Sequence, residues 1–316
     1  MNNRFRVEKF DEFIGQTKIK QTLKVLINSS FAQKKPIDHI LFYGPPGLGK
    51  TTLAKIISNE TKQNIVFVQG PLLEKKSDLL TLLSSIKEND IIFIDEIHCI
   101  NHNLEELLYT AMEDGVIDIT LGVDGDKRIM RMTLKPFSLI AATTKFDHLS
   151  KPLKDRFGFI GKLINYNTKE IAEIISNSAI RNNISIDNKS IEMIALHSNN
   201  NPRVANMLLK RVFDFSLYDN QKMIDEELVK KTFGFIGIFD GGLTQIQIQY
   251  LETLNNVFTK KYASIDAISS ITKDDKQTII NEIEPQLLVK KFIEKSPRGR
   301  RITDEGVAYL TNFKIL

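Results

Sequence analysis

Short unbroken apolar runs alternate, along the first half of the chain, with stretches in which apolar residues recur every three or four positions. Ile40-Leu41-Phe42-Tyr43, Ile65-Val66-Phe67-Val68 and Ile91-Ile92-Phe93-Ile94 have the length and composition of strands covered on both faces. The pattern predicts strands over 39–43, 65–69, 91–95 and 137–143, and helices over 16–32, 50–62, 75–88 and 103–113. Strand and helix in alternation imply a parallel sheet between helical layers, an αβα sandwich. One segment breaks the alternation. Val116, Ile117, Ile119 and Leu121 lead into Gly122-Val123-Asp124-Gly125-Asp126, and Ile129, Met130, Met132 and Leu134 lead out. Two β-rich arms around a Gly/Asp turn read as a hairpin over 116–134 inserted in the sandwich.

Beyond 165 the pattern changes. Helices are predicted from Thr168 and over 187–198, 202–216 and 225–233, which makes a small all-α module. The glycine-rich stretch Gly234 to Gly242 reads as a linker. After it come helices over 244–258, 263–271 and 275–282, then Leu287-Leu288-Val289, Phe292-Ile293 and the turn Ser296-Pro297-Arg298-Gly299-Arg300-Arg301. Three short helices and a basic-tipped hairpin are the pattern of a winged helix. The expected modules are therefore 1–165, 166–236 and 237–316.

Composition narrows the class without naming it. A chain of 316 residues with 42% hydrophobic content can build more than one core. No apolar stretch reaches the ~20 residues that span a bilayer, and Met1 to Arg6 has no apolar segment of the secretory kind. A single cysteine excludes an internal disulfide framework and fits a reducing cytoplasm. It also argues against a metal centre at His98-Cys99, since no second thiolate is present. The net charge of +4 is too small to argue for nucleic acid by itself, so any basic surface must be local.

The chemistry is concentrated in two motifs. Gly44-Pro45-Pro46-Gly47-Leu48-Gly49-Lys50-Thr51-Thr52 follows a predicted strand and opens a predicted helix, the setting that a phosphate-binding loop requires. Gly44, Gly47 and Gly49 supply backbone conformations that let several N–H groups approach a phosphate, and the helix N-terminus adds partial positive charge. Lys50 would hold the β- and γ-phosphates of ATP, and the Thr51 hydroxyl would enter a Mg²⁺ shell. The strand 91–95 ends in Asp95-Glu96, where open α/β sheets bind ligands. Asp95 would orient Mg²⁺ through its waters and Glu96 would polarise the attacking water. In the C-terminal module, Lys295, Arg298, Arg300 and Arg301 cluster around Pro297 and Gly299, a turn able to project cations to DNA phosphates.

In order along the chain stand the phosphate loop, Asp95-Glu96-Ile97-His98, the hairpin, Ala141-Ala142-Thr143-Thr144, Asp155-Arg156-Phe157-Gly158, Asn201-Pro202-Arg203 and a basic winged helix. That order resembles the AAA+ ATPases. More closely, the whole chain is similar to the RuvB family of bacterial Holliday-junction branch-migration motors. Its narrower marks are Phe13-Ile14-Gly15-Gln16, Gly70-Pro71, Ala111-Met112-Glu113-Asp114, Lys135-Pro136-Phe137 and Pro297-Arg298-Gly299-Arg300. The resemblance implies an AAA+ sandwich with an all-α lid and a C-terminal winged helix. It implies roles by position: Thr144, with Thr143 as the second choice, as the sensor of the γ-phosphate; Arg156 as an arginine finger reaching a neighbouring subunit's nucleotide; and Arg203 as the second sensor. Phe5, Arg6 and Tyr166 would line the adenine and lid side of the nucleotide pocket, and Gly47, Gly49 and Thr52 of the phosphate loop would also bind the nucleotide. Glu113, Asp114 and Gly115 would lie near the subunit boundary, although Gly115 stands where the family usually has an aromatic residue. Lys154 likewise replaces an arginine, and Val7 a proline.

The implied activity is an ATP-driven hexameric ring that moves duplex DNA through Holliday junctions in recombination and repair. The implied partners are a RuvA-like junction-binding protein, met by Ile129 on the hairpin, and a junction resolvase. Branch migration must pass through any sequence, so DNA contact is expected at phosphates rather than bases. The competing expectation is a clamp-loader subunit, which shares the ATPase core and lid but carries a helical collar in place of the winged helix. An origin-binding initiator with the same core is a third. Rings of six on DNA favour the motor, five-membered assemblies the loader, and filaments the initiator.

Overall fold

The computed structural model describes residues 7–121 and 128–312. The hairpin tip, Phe5 and Arg6 lie outside the described residues. The chain divides into two compact units, Met1–Tyr166 and Asn167–Leu316.

The first unit is built on a five-stranded parallel sheet of order β2-β3-β6-β1-β7. Its strands are β1 (Ile40–Tyr43), β2 (Ile65–Gln69), β3 (Ile91–Asp95), β6 (Ser138–Thr143) and β7 (Phe159–Lys162). The inner strands β1, β3 and β6 are almost wholly buried, which is why they read as continuous apolar runs. The helices are α1 (Thr17–Gln33), α2 (Lys50–Thr61), α3 (Lys76–Ser85), α4 (His102–Asp114) and the single turn α5 (Lys151–Lys154). A core of Leu41, Ile92, Ile94, Leu104, Leu108, Leu139 and Ala141 joins sheet to helices. The inserted hairpin is β4 (Val116–Leu121) paired antiparallel to β5 (Arg128–Thr133), with Val116 opposite Thr133. β6 lies between β1 and β3, so its C-terminal end separates the loop after β1 from the acids that end β3. That strand order assembles the site.

The edge strand β7 was not expected from the pattern. Phe159, Ile160 and Lys162 are partly or fully exposed, and Gly161 interrupts the run, so neither continuous burial nor clean alternation marks it.

The second unit begins with α6 (Thr168–Arg181), α7 (Asn188–His197), α8 (Pro202–Tyr218) and α9 (Glu226–Ile236). Each starts at a side-chain cap: Asn167, Asp187, Asn201 and Asp225 accept from backbone N–H groups of the first turn. The expected linker at 234–242 is corrected. Gly234 lies inside α9, which runs to Ile236 and is capped by Gly237, and a two-stranded pair follows, β8 (Ile238–Phe239) with β9 (Leu243–Thr244), around a turn at Gly241 and Gly242. Gly242 has φ +77°, and a Cβ there would come within 2.3 Å of the His197 carbonyl oxygen. Asn199 Nδ2 donates to Gly242 O at 3.1 Å, while Gln286 Nε2 donates to the same oxygen at 3.1 Å and to Asn199 Oδ1 at 2.5 Å. The glycines serve a packed joint here, and a flexible tether is absent.

The C-terminal part contains α10 (Gln245–Asn256), α11 (Ile265–Thr272), α12 (Lys276–Thr278), a π-helical stretch Ile279–Ile283, and α13 (Glu284–Val289). The wing is β10 (Ile293–Ser296) with β11 (Gly299–Ile302), followed by α14 (Asp304–Asn312). Ile248, Leu251, Leu254, Ile268, Ile279, Leu287 and Ile302 form its core.

Candidate nucleotide site and basic wing

The loop after β1 adopts the conformations its glycines permit, with φ of +138° at Gly44, +83° at Gly47 and +103° at Gly49. A Cβ on Gly49 would lie 2.9 Å from the Phe13 ring, and one on Gly44 would lie 2.5 Å from the Leu163 carbonyl oxygen. The cradle is thus closed from behind by protein and cannot admit larger residues. Tyr166 adds to that backing: it is buried, and its hydroxyl donates to Leu48 O at 3.1 Å. Gln16 holds the neighbouring wall, donating to Ile164 O at 2.7 Å and accepting from Ile164 N at 3.3 Å.

Lys50 opens α2, and its ammonium donates to Gly44 O at 2.8 Å and Pro45 O at 3.0 Å. Burial pushes its pKa down, and the nearby Glu96 and Asp95 charges act against that shift. Thr51 Oγ1 donates to Asp95 Oδ2 at 3.3 Å, joining loop and β3 in one place. Hydroxyl and carboxylate oxygens side by side are hard donors suited to Mg²⁺, and the glycine cradle beside them suits a phosphate. Thr52 is half-buried in the first turn of α2.

Glu96 follows Asp95 with a left-handed backbone, φ 51° and ψ 48°. Its Oε2 accepts from Thr144 N at 3.2 Å and from the Thr144 hydroxyl at 3.0 Å. Thr143, the less favoured sensor candidate, is buried and turned toward His98 instead. A cavity of about 550 Å³ opens beside Thr144, with Tyr43, Phe146 and Lys162 on its walls.

Arg156 forms an ion pair with Glu113 Oε2 at 2.6 Å, a partner that spacing did not suggest. Asp114, exposed, ends α4, and Gly115 caps that helix at φ +63° with open space around it. Ile129 on β5 is 75% exposed, an apolar side chain standing in water. In the second unit, Arg203 is exposed in the first turn of α8, where its N–H donates to Asn201 Oδ1 at 2.9 Å.

The wing departs from expectation at one residue. Arg300 is only 8% exposed, and its guanidinium turns inward to Glu284, itself about 1% exposed. Nε donates to Glu284 Oε1 at 2.6 Å, and the Tyr250 hydroxyl donates to the same oxygen at 2.8 Å. Burial first, then the Glu284 charge, pushes the Tyr250 pKa up. Arg300 therefore cannot project to phosphate as expected; it is a core group linking wing to helix. Lys295 lies 3.8 Å from Glu284, and Arg301 pairs with Glu294 at 2.5 Å, both from exposed positions. Arg298 is exposed at the turn.

Family models match the chain almost end to end. One described as "Holliday junction DNA helicase RuvB P-loop domain" matches residues 5–163. The chain belongs to the RuvB family. Two further models, "RuvB AAA lid domain" and "RuvB C-terminal winged helix domain", match residues 166–238 and 240–311. The "Holliday junction branch migration complex subunit RuvB" of Mycoplasmopsis pulmonis is 51% identical over 305 residues, covering 96% of this chain and 97% of that protein. Its namesake from Mesomycoplasma hyopneumoniae (strain 7448) is 51% identical over 313 residues, 99% of this chain and 98% of that protein. The solved structure of the Thermotoga maritima RuvB Holliday junction branch migration motor aligns with TM-score 0.84 at 36% identity, covering 98% of this chain and 99% of that one. A RuvB winged helix in place of a helical collar sets the clamp-loader reading aside.

Proposed function

We propose that this chain is an ATP-hydrolysing motor of Holliday-junction branch migration, acting in the cytoplasm as a hexameric ring on duplex DNA. The observation that carries the reading is the convergence of Lys50, Thr51, Asp95, Glu96 and Thr144 at the C-terminal ends of β1, β3 and β6, in a chain of the RuvB family. Three modules divide the work: ATPase residues 1–165, lid 166–236 and winged helix 237–316.

Phosphoryl transfer needs positioning and charge neutralisation more than covalent chemistry. Lys50 and the loop N–H groups hold the phosphates. Thr51 and Asp95 would hold Mg²⁺, which when bound neutralises phosphate charge. Glu96 orients and polarises the water, and Thr144 reads the γ-phosphate. Arg156 reaches the nucleotide of the neighbouring subunit, while Glu113, Asp114 and Gly115 lie at that boundary. Phe5, Arg6, Gly47, Gly49, Thr52 and Tyr166 complete the nucleotide pocket, Tyr166 by backing the loop. Arg203 couples the lid to nucleotide state. Ile129 meets a RuvA-like junction-binding protein, and a resolvase acts on the same junction. Lys295, Arg298 and Arg301 contact DNA phosphates, as expected of a helicase-class translocase.

A synthetic four-way junction tests the reading. With ATP and Mg²⁺, and more strongly with the cognate junction-binding protein, the chain should convert the junction to duplex products. Failure to do so by protein that hydrolyses ATP would remove branch migration and leave only an ATPase.

A further inference from the structure

The Glu96 backbone is clamped from two sides. A Cβ on Gly70 would lie 2.4 Å from the Glu96 carbonyl oxygen, so the chain behind β2 packs directly on it. The same carbonyl accepts from Cys99 N–H at 2.9 Å. The left-handed conformation, costly to a residue with a Cβ, is thereby fixed and aims the side chain at the end of β6.

The side chain is held just as specifically. Beside the two Thr144 donors on Oε2, His98 Nδ1 lies 3.1 Å from that oxygen. Nδ1 also lies 3.0 Å from Thr143 Oγ1, which already accepts from Lys145 N–H at 3.0 Å. A neutral imidazole has one ring proton. Placed on Nδ1 it lies between two acceptors: Thr143 Oγ1, with which the ring makes its hydrogen bond, and the Glu96 carboxylate, whose charge draws it from 3.1 Å. Nε2 is then the acceptor, with the Cys99 thiol 3.6 Å away as donor. Among the described residues none is hydrogen-bonded to the other carboxylate oxygen, Oε1.

We propose that His98 is a positioning residue for hydrolysis, pinning Oε2 of Glu96 to the end of β6 so that Oε1 is presented to the attacking water. This rests on the reading of Glu96 as the water-polarising base. The need for His98 follows from the Thr144 hydroxyl, which has one proton and two claimants. When that hydroxyl turns to a γ-phosphate it releases Oε2, and His98 is the side-chain donor that remains. Without it the carboxylate can rotate about its last bond, and a base must stay within hydrogen-bond reach of its water to act.

The test compares ATP turnover and ATP affinity in the full chain for His98→Ala, His98→Asn, His98→Gln, Glu96→Gln and the His98→Ala/Glu96→Gln pair. A small displacement of a catalytic group costs about 10- to 100-fold, so His98→Ala should lower kcat by that factor. KM should stay within about twofold, since the interaction acts after binding. Asn places its amide N–H where Nδ1 stands and should recover most of the loss, whereas Gln should not. In the Glu96→Gln background His98→Ala should add nothing. Wild-type kcat in His98→Ala beside an inactive Glu96→Gln overturns the proposal, as does equal activity of the Asn and Gln variants or a further fall in the pair. If His98→Ala does not fold, the Asn and Gln variants decide alone. Full turnover in Glu96→Gln overturns the reading of Glu96 and this proposal with it.

Discussion

The nucleotide loop and the wing both announce themselves as clusters of glycine and cationic residues, yet they behave differently in three dimensions. At the loop the motif residues come together: Lys50 and Thr51 open one helix, and Thr51 meets Asp95 across the sheet. At the wing, four neighbouring cations split into an inward Arg300, an Arg301 paired with Glu294, and Lys295 and Arg298 at the surface. The difference is one of constraint. A phosphate loop fixes backbone, side chain and spacing together. A run of positive charge fixes only composition, and alternation along β11 then turns Arg300 inward and Arg301 outward.

The comparison can be broken most sharply on the loop side. Arg156→Ala should cost ATP turnover ~10³-fold or more, the scale of an arginine finger. Mixing it with Lys50→Ala protein should restore part of the activity, since some interfaces then pair an intact loop with an intact finger. No recovery in rings shown to be mixed would confine Arg156 to its own chain, where it already pairs with Glu113.

On the wing side, Arg300→Ala should destabilise the winged helix by about 3–5 kcal/mol, because it strands a buried carboxylate. Denaturant unfolding would show it, and a loss under about 1 kcal/mol, typical of exposed pairs, would return Arg300 to the surface. Ile129→Glu should abolish stimulation by the junction-binding partner, since one buried aliphatic contributes roughly 1.5–3 kcal/mol to association. Its ATP affinity should match that of the unaltered chain; if ATP binding falls equally, the hairpin belongs to the core. The smallest effect is at Arg298. Replacing it with alanine should lower the slope of log affinity against log salt by about one unit, the signature of one phosphate contact, with unfolding unchanged.

Legibility followed the same division. The inner strands and long helices were readable because burial on both faces, or on one helical stripe, imposes a period on the sequence. Lys50, Thr51, Asp95, Glu96 and Thr144 were readable because motif and strand order bring them together. β7 was not, since an edge strand that is half in water carries little pattern. Arg300 was misread although a signal existed: Ile302 is buried two residues on, so the same face of β11 carries Arg300 inward. His98 was weighed only as a metal ligand, because its hydrogen bond to Thr143 crosses from the end of β3 to β6 and no local spacing encodes it.

The packed turn at Gly242 has a mechanical consequence. A tether absorbs displacement, whereas a joint locked by Asn199 and Gln286 passes it on. The segment after α7 is in this way tied to α13 through Gln286, and α13 to the wing through Glu284 and Arg300. The second unit is thus braced from its helical part to the basic turn, with no loose segment at Gly234 to Gly242 to take up the displacement.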